Sequence, residues 1–480
     1  MPDARPPSVT ANRGPANVQA LISAALIVWV GIGTLVQEAG HVLALRSLTH
    51  AGVLLWFGLN LLRYRGVERI FMAASLLVVP LVYAFADQPG HVLALALDRA
   101  GLFLTFVSSL NLLRDAAQSS VAVRRAGMFL ISQSPPLRYA ALTVGCHLFT
   151  IALNMGALVL LGAMVRRSNT LAAAGGDATV VGIRLQRMTT ALLRGFGTTL
   201  MWTPTGVSLG YTLSLVPAVG WFDVVLPLVG LAVAWMALGW IVDRLQWPPS
   251  ARSAALPPPP YVSPLEALPM LGITALLLIS VIVAKMVYGS SLLVATLATV
   301  PFVAVIWLFM QYRRFGGRAA RAITVRRLKR HALYLLPQTR PECVVLAAAA
   351  FVGVGLSAIV QAGGASVWLS SLDLPPALIA IAVFLLIIGL AQVAITPLVI
   401  ATIVGTTVSH MTPMPIPPLA LVIAIQAGWS LASAASPYTG GMLTLARVVD
   451  KRAPDLLRWN LVWGFCAAGL ISAVYLVWLG

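Results

Sequence analysis

Residues 434–442 read AASPYTGGM, a run of poor helix formers inside an otherwise apolar segment. Proline removes an amide donor and clashes with the preceding turn, and glycine loosens a helix further. The stretch therefore predicts a break in the middle of a membrane span. Three more apolar segments are interrupted in the same way, at LNMG 153–156, WTPTG 202–206 and ITP 395–397.

The composition shows what surrounds these breaks. The chain has 480 residues, of which 59% are hydrophobic and only 10% are charged, whereas about a quarter of a soluble domain is charged. Apolar runs long enough to cross a ~30 Å hydrocarbon core recur along the whole length. They predict an all-α polytopic membrane protein with about 11 transmembrane helices and two re-entrant hairpins. The predicted spans lie near 18–36, 43–62, 70–87, 91–112, 195–216, 221–243, 266–286, 289–311, 342–361, 418–446 and 459–479, and the hairpins near 138–164 and 374–408.

The formal net charge of +18 fits this topology better than a nucleic-acid partner, because basic residues flank membrane spans on the cytoplasmic side. With a cytoplasmic N-terminus and two re-entrant hairpins, only Arg46, Arg99 and Lys285 of the 32 basic residues fall at or near the other face. This arrangement places the C-terminus in the periplasm. The excess of arginine over lysine favours a bacterial source, so we expect the inner membrane.

The four breaks divide the chain into two halves. Spans two to six with the first hairpin match spans seven to eleven with the second, and each unit has an odd number of crossings. The second unit is therefore inverted relative to the first. The predicted organisation is a cytoplasmic tail at 1–17, a first repeat with an extra N-terminal span at 18–245, a Pro-rich cytoplasmic linker at 246–265 and an inverted second repeat at 266–480.

Paired, interrupted segments in inverted halves indicate the binding site of a secondary transporter. A broken span exposes carbonyls that coordinate a cation and helix N-termini that attract an anion. The alternative is that the proline and glycine kinks only serve packing. The candidate substrate- and ion-binding residues are Asn154, Thr203, Pro204, Thr205, Gly206, Thr396, Pro397, Ser436, Pro437, Thr439 and Gly440.

These residues resemble the ion transporter superfamily, which includes divalent anion/sodium symporters, arsenite permeases and citrate permeases. Divalent anion symporters carry Ser-Asn-Thr at both hairpin tips; here the first tip keeps Asn154 and the second keeps Thr396. The breaks that follow read TPTG at 203–206 and SPYTG at 436–440. The resemblance implies an elevator-type transporter, and it suggests a homodimer.

Two ionisable residues are candidates for proton coupling. His147 lies two helical turns before Asn154 and would share its face; the alternative is a hydrogen-bonded packing histidine. Asp98, next to Arg99 at the start of the fourth span, would act in a proton relay or pair locally. The coupling ion, H⁺ or Na⁺, stays undecided.

Other functions find little support. The sequence has no P-loop, HExxH or GxSxG motif, and its cysteines have no metal-ligand neighbours, so we expect no enzyme, no cofactor and no metal site. The basic 313–340 loop is a candidate for contact with anionic lipid, not nucleic acid. We expect an ion-gradient-driven transporter of a small, anionic solute. The alternative is a membrane scaffold or subunit that keeps the fold without transport.

Overall fold

The computed structural model describes residues 15–40, 43–247, 263–409, 411 and 413–480. Within those ranges all regular secondary structure is helical, and nine helical segments are long and apolar enough to cross a membrane. The chain is therefore an all-α polytopic membrane protein, as predicted. Most of the predicted tail and most of the predicted linker lie outside the described residues.

Most helices of the first half follow the predicted spans. A shorter helix, α5, forms in the polar stretch before the first hairpin. These helices are α1 Pro15–Gly40, α2 Leu43–Asn60, α3 Val67–Phe85, α4 Pro89–Gln118, α5 Val121–Ile131, α6 Pro135–Leu153, α7 Met155–Ser168, α8 Ala178–Thr199, α9 Val207–Leu215 and α10 Trp221–Gln246.

Several helices of the second half begin at a proline. Proline is tolerated in the first helical turn, where its missing N–H would have no intrahelical partner. The described helices of the second half are α11 Leu268–Tyr288, α12 Leu292–Tyr312, α13 Gly317–Arg330, α14 Arg340–Ala362, α15 Ala365–Ser371, α16 Pro376–Ala391, α17 Pro397–Ser409, α18 Pro418–Ala435, α19 Gly440–Val449 and α20 Ala453–Leu479.

Both interrupted runs form helix–break–helix units. Helices α7, α16 and α17 have 14, 16 and 13 residues, fewer than the ~20 that cross a bilayer. The two arms of each unit contact one another, α6 with α7 and α16 with α17. Each unit therefore has the geometry of a helical hairpin.

Two of the eleven predicted spans are missing from the nine qualifying segments, for physical reasons. The span near 43–62 forms α2, but Arg46, His50 and Asn60 lower its hydropathy. The predicted start of the span near 195–216 is wrong, because α8 already begins at Ala178; it ends at Thr199, and the nine-residue α9 follows the break. Helix α8 carries three arginines, so neither piece qualifies alone.

The centre of the molecule is formed by the helices next to the breaks. In the segment Pro418–Val449, which includes α18, 94% of the most apolar window is buried, against 22% in Ala453–Leu479. Helix α4 packs against both α12 and α14, and α14 packs in turn against α3. In the predicted repeat, α4 corresponds to α14 and α3 corresponds to α12. The contact of α4 with α12 and the contact of α14 with α3 are therefore equivalent contacts in the two repeats. The inverted repeat itself remains a prediction.

Gly195 sets the spacing between the first hairpin and the broken span. A Cβ on Gly195 would lie 2.2 Å from the carbonyl oxygen of Thr143 on α6, so an added methyl group would force the two backbones apart. We expect Gly195→Ala to destabilise the protein by about 1–3 kcal/mol and to lower the unfolding temperature in detergent. Gly182→Ala on the same helix, where nothing lies within 4 Å, is the matched control and should not. Equal unfolding temperatures for the two variants would contradict this packing.

Candidate functional site

The tip of the first hairpin is a sharp turn at Asn154. This residue separates α6 from α7 and has a φ of 49°. Asparagine tolerates positive φ better than most side chains do, so it suits the turn. The Asn154 side chain is partly exposed and makes no hydrogen bond to any residue the structure describes. Its amide is therefore free to bind a ligand.

The first break packs directly against this tip. The Thr205 hydroxyl donates to the carbonyl of Ile151 near the end of α6, at 2.9 Å. The Thr203 and Thr205 hydroxyls lie 2.9 Å apart, and the carbonyl of Pro204 accepts a hydrogen bond from Thr296 on α12, at 3.0 Å. Hydrogen bonds of Thr205 and Pro204 therefore join the first break to α6 and to α12.

The second break and the second tip are joined in an equivalent way. The Ser436 hydroxyl donates to the carbonyl of Ala391 at the end of α16, at 2.7 Å. In return, the Gln392 side-chain amide donates to the carbonyl of Ala435, at 3.0 Å. The Thr439 hydroxyl lies 3.2 Å from the carbonyl oxygens of both Ser433 and Ser436. It therefore hydrogen-bonds within the second break itself.

Helices α7 and α19 bring the first tip and the second break together. A Cβ on Gly440 would lie 2.9 Å from the terminal methyl group of Met155, so the side chain of the first residue of α7 contacts the first residue of α19. Further along, a Cβ on Gly162 would lie 2.6 Å from Leu445. At the far ends, the Arg166 guanidinium donates to the carbonyl of Val448 at 3.3 Å. The two helices are therefore parallel, with their N-termini side by side.

Helices α9 and α17 pair in the same sense. The Tyr211 hydroxyl lies 2.7 Å from the Thr402 hydroxyl, and a Cβ on Gly405 would lie 3.1 Å from Leu215. Contacts at successive positions advance together along both helices, so their N-termini, after Gly206 and at Pro397, also share one end. Each of the helices that follow the four breaks thus pairs with one from the other half of the chain, α7 with α19 and α9 with α17.

The electrostatics of these ends favour an anion. The first turn of a helix has backbone N–H groups without intrahelical partners, and the helix dipole places partial positive charge there. Two parallel N-termini in contact add their fields at one point. Arg114 on α4 adds a guanidinium whose Nε would lie 3.3 Å from a Cβ on Gly156 in the first turn of α7, and its charge is partly balanced by Glu342. The only carboxylate it approaches among the described residues is that of Glu342, at 3.4 Å.

Most of the predicted hydroxyl ligands are occupied by the protein itself. Thr203, Thr205, Ser436 and Thr439 each hydrogen-bond to neighbouring protein groups. Thr396 differs, because its hydroxyl oxygen is buried and has no hydrogen-bond partner among the described residues. Asn154 and Thr396, one at each tip, are therefore the predicted polar side chains that remain open for a ligand.

His147 lies on α6 between two polar neighbours. The Trp202 indole N–H donates to Nε2 of His147 at 3.0 Å, so Nε2 acts as an acceptor. Nδ1 lies 3.0 Å from the Thr198 hydroxyl, which itself donates to a carbonyl on α8. Both ring nitrogens are thus used in the neutral tautomer with hydrogen on Nδ1. The contacts match those of a hydrogen-bonded packing histidine; proton coupling by His147 remains untested.

Asp98 does not pair with Arg99. Its carboxylate accepts hydrogen bonds from the Arg46 guanidinium, the shortest at 2.6 Å, and lies 2.7 Å from Nε2 of His50. Both partners are on α2 and lie one helical turn apart, and their spacing in the sequence gives no sign of the contact with α4. Asp98 therefore joins α2 to α4 in the structure, and its part in proton coupling stays a prediction.

Comparison with known structures supports the reading of the fold. The chain is similar to the YdaH transporter of Alcanivorax borkumensis, with a TM-score of 0.56 and 14% identity over 86% of this chain and 98% of that one. It is also similar to Neisseria gonorrhoeae MtrF, reported with a class of antimetabolite efflux pumps, with a TM-score of 0.51 and 14% identity over 87% of this chain and 95% of that one. No protein-family model and no curated protein sequence matches the chain. The chain therefore shares the overall fold of these two proteins.

Proposed function

We propose that this protein is an ion-gradient-driven secondary transporter of a small anion. The observation that carries the proposal is the parallel contact between α7 and α19 at Met155 and Gly440. This contact places two helix N-termini beside the free amide of Asn154, in a chain whose structural neighbours are transporters. Helix N-termini bind anions through free N–H groups and the helix dipole. Arg114 supplies the charge, and Asn154 and Thr396 supply directional hydrogen bonds.

The hydrogen bonds around the breaks also suggest which parts move. Thr205 ties the first break to the first hairpin, and Ser436 ties the second break to the second hairpin. We propose that the hairpins and the broken spans move as one carrying unit, in an elevator-like step. The coupling ion is H⁺ or Na⁺. The proposed location is a bacterial inner membrane with a cytoplasmic N-terminus.

The test is flux in proteoliposomes with a panel of inorganic anions, mono- and dicarboxylates and anionic antimetabolites. Each solute is measured in both directions, with no gradient, with a pH gradient and with a Na⁺ gradient. We expect at least one anion to move faster than in protein-free vesicles, with one gradient accelerating it. Absence of gradient-dependent flux for the whole panel would contradict transport and favour the scaffold alternative.

Arg114 offers a second test of the anionic substrate. We expect Arg114→Gln to raise the KM for the transported anion about tenfold or more, because a charge-assisted hydrogen bond is lost. Arg114→Lys keeps the charge and should lose less. Arg167→Gln, at an exposed position near the C-terminus of α7, is the control and should leave KM unchanged. An unchanged KM in Arg114→Gln would remove Arg114 from the site.

A further inference from the structure

A second polar cleft lies away from the four breaks, between α1, α2 and the start of α14. It is small, with a cavity volume of about 20 Å³. Its apolar wall includes Ile27 and Leu336, and no aspartate or glutamate lines it. The polar residues that line it are Gln19, Ser23, Trp56, Asn60, Arg63 and Arg340.

Trp56 supplies a buried donor without an acceptor. Its side chain is 1% exposed, and its indole N–H has no hydrogen-bond partner in the described part of the chain. Buried indole N–H groups normally find an acceptor; that of Trp463, for example, donates to the carbonyl of Trp235 at 3.1 Å. Asn60 and Gln19 donate their amides to backbone carbonyls. Trp56 therefore lines the cleft with a donor whose acceptor is missing from the described residues.

Two arginines line the cleft, and one of them is ion-paired with a buried glutamate. The Arg340 guanidinium is held by Glu68, at 3.1 and 3.2 Å, and by the carbonyl of Arg63, at 2.9 Å. These bonds use Nε and Nη2 and leave Nη1 without a bond to any described residue. The Arg63 guanidinium makes no hydrogen bond or ion pair within the same ranges. Arginine forks match the geometry of phosphate oxygens.

The rim of the cleft is apolar. Leu62 is 97% exposed, and Leu61 and Ile22 next to the lining residues are 55% and 45% exposed. In a membrane protein such side chains face acyl chains. A ligand that fits both parts carries a phosphate at one end and hydrocarbon at the other, and basic pockets between transmembrane helices bind such lipids.

We propose that this cleft binds the phosphate of an anionic phospholipid. The phosphate oxygens accept from Arg63, from Nη1 of Arg340 and from the Trp56 indole, and the acyl chains lie along Leu62 and Ile22. The ligand would join the first two helices to the start of α14, at the end where Arg63 and Arg340 meet. This site is separate from the proposed transport site and does not depend on it.

The proposal can be tested by native mass spectrometry of the full-length protein in detergent, titrated with phosphatidylglycerol, phosphatidylcholine or inorganic phosphate. We expect tighter binding of phosphatidylglycerol than of phosphatidylcholine, and no retained inorganic phosphate. Arg63→Gln should weaken the first phosphatidylglycerol site about tenfold, through loss of a charge-assisted hydrogen bond. Arg65→Gln, exposed in the same loop but outside the cleft, should not.

A second variant separates lipid binding from general charge attraction. Trp56→Phe keeps the ring but removes the buried N–H, so it should weaken phosphatidylglycerol binding about threefold, as expected for a neutral hydrogen bond. It should also reduce the rise in unfolding temperature that the lipid produces. Equal binding in the parent protein, Trp56→Phe and Arg63→Gln would overturn the proposal. Preferred retention of inorganic phosphate would replace the lipid with a soluble phosphate ligand and would overturn it as well.

Discussion

Asn154→Asp is expected to abolish anion flux. Aspartate tolerates positive φ as asparagine does, so the turn should persist. The new carboxylate would occupy the meeting point of two helix N-termini, where it neutralises their field and repels an anion. Like-charge juxtaposition costs several kcal/mol, so we expect flux to fall at least about 100-fold. The measurement is initial flux in proteoliposomes containing equal amounts of folded protein.

Asn154→Gly is the matched control for this substitution. Glycine adopts positive φ freely and removes only the side-chain amide, so the loss should be nearer tenfold, about one hydrogen bond. An Asn154→Asp variant that transports the anion at the parent rate would contradict the site. Acceleration of a cation in that variant would show that the sign of the substrate charge is wrong.

Asp243→Ala should produce the largest loss of stability. Asp243 accepts two hydrogen bonds of 2.8 Å from Arg187, and the two side chains are 3% and 10% exposed. Removing one member leaves a buried, unpaired charge, which costs about 3–5 kcal/mol. The pair joins α8, next to the first break, to α10. We expect the unfolding temperature in detergent to fall by several degrees.

Two controls make that experiment decisive. Asp455→Ala breaks the exposed pair with Arg452, whose side chain is 80% exposed, and should leave the unfolding temperature unchanged because exposed ion pairs contribute little. Arg187→Met combined with Asp243→Leu removes both charges and should recover most of the stability. If Asp243→Ala unfolds at the same temperature as Asp455→Ala, the buried pair does not stabilise the bundle.

The local breaks could be predicted from the sequence because their causes are local. The stretches that contain Pro204 and Pro437 interrupt a helix whatever surrounds them, because proline and glycine act on the local backbone. Helices α9 and α19 start just after these stretches. The hairpin arms were recognisable from short apolar runs beside a polar interruption. Hydropathy also located most spans, although α2 and the broken fifth span fall short of a full apolar crossing.

The composition of the site depends on packing that the sequence does not display. In the sequence, Arg114 looks like an ordinary basic residue at the end of a span. Only the packing of α4 against α7 places its side chain next to Gly156. Gln392 lies between the predicted hairpin arm and Thr396, and its bond to Ala435 spans 43 residues. Conversely, Thr205 and Ser436 looked like ligands because a hydroxyl in a break can serve either a solute or the backbone. Their donors are satisfied by carbonyls of the hairpins.

The central claim is that the first hairpin tip and the second break meet, and cysteine crosslinking tests it most directly. In a variant whose native cysteines are replaced by alanine, Met155→Cys and Gly440→Cys are combined, with a protease site in the 246–265 linker. Met155→Cys with Asp450→Cys is the control pair, since Asp450 also lies in the second proteolytic half but is placed beside Arg166 at the other end of α7.

We expect a short bifunctional reagent to join the two proteolytic halves through residues 155 and 440. We also expect this crosslink to stop flux of the transported anion. The control pair should give no such product. If residues 155 and 440 both react with maleimide yet are never crosslinked, the two helix N-termini do not meet and the proposed anion site does not exist.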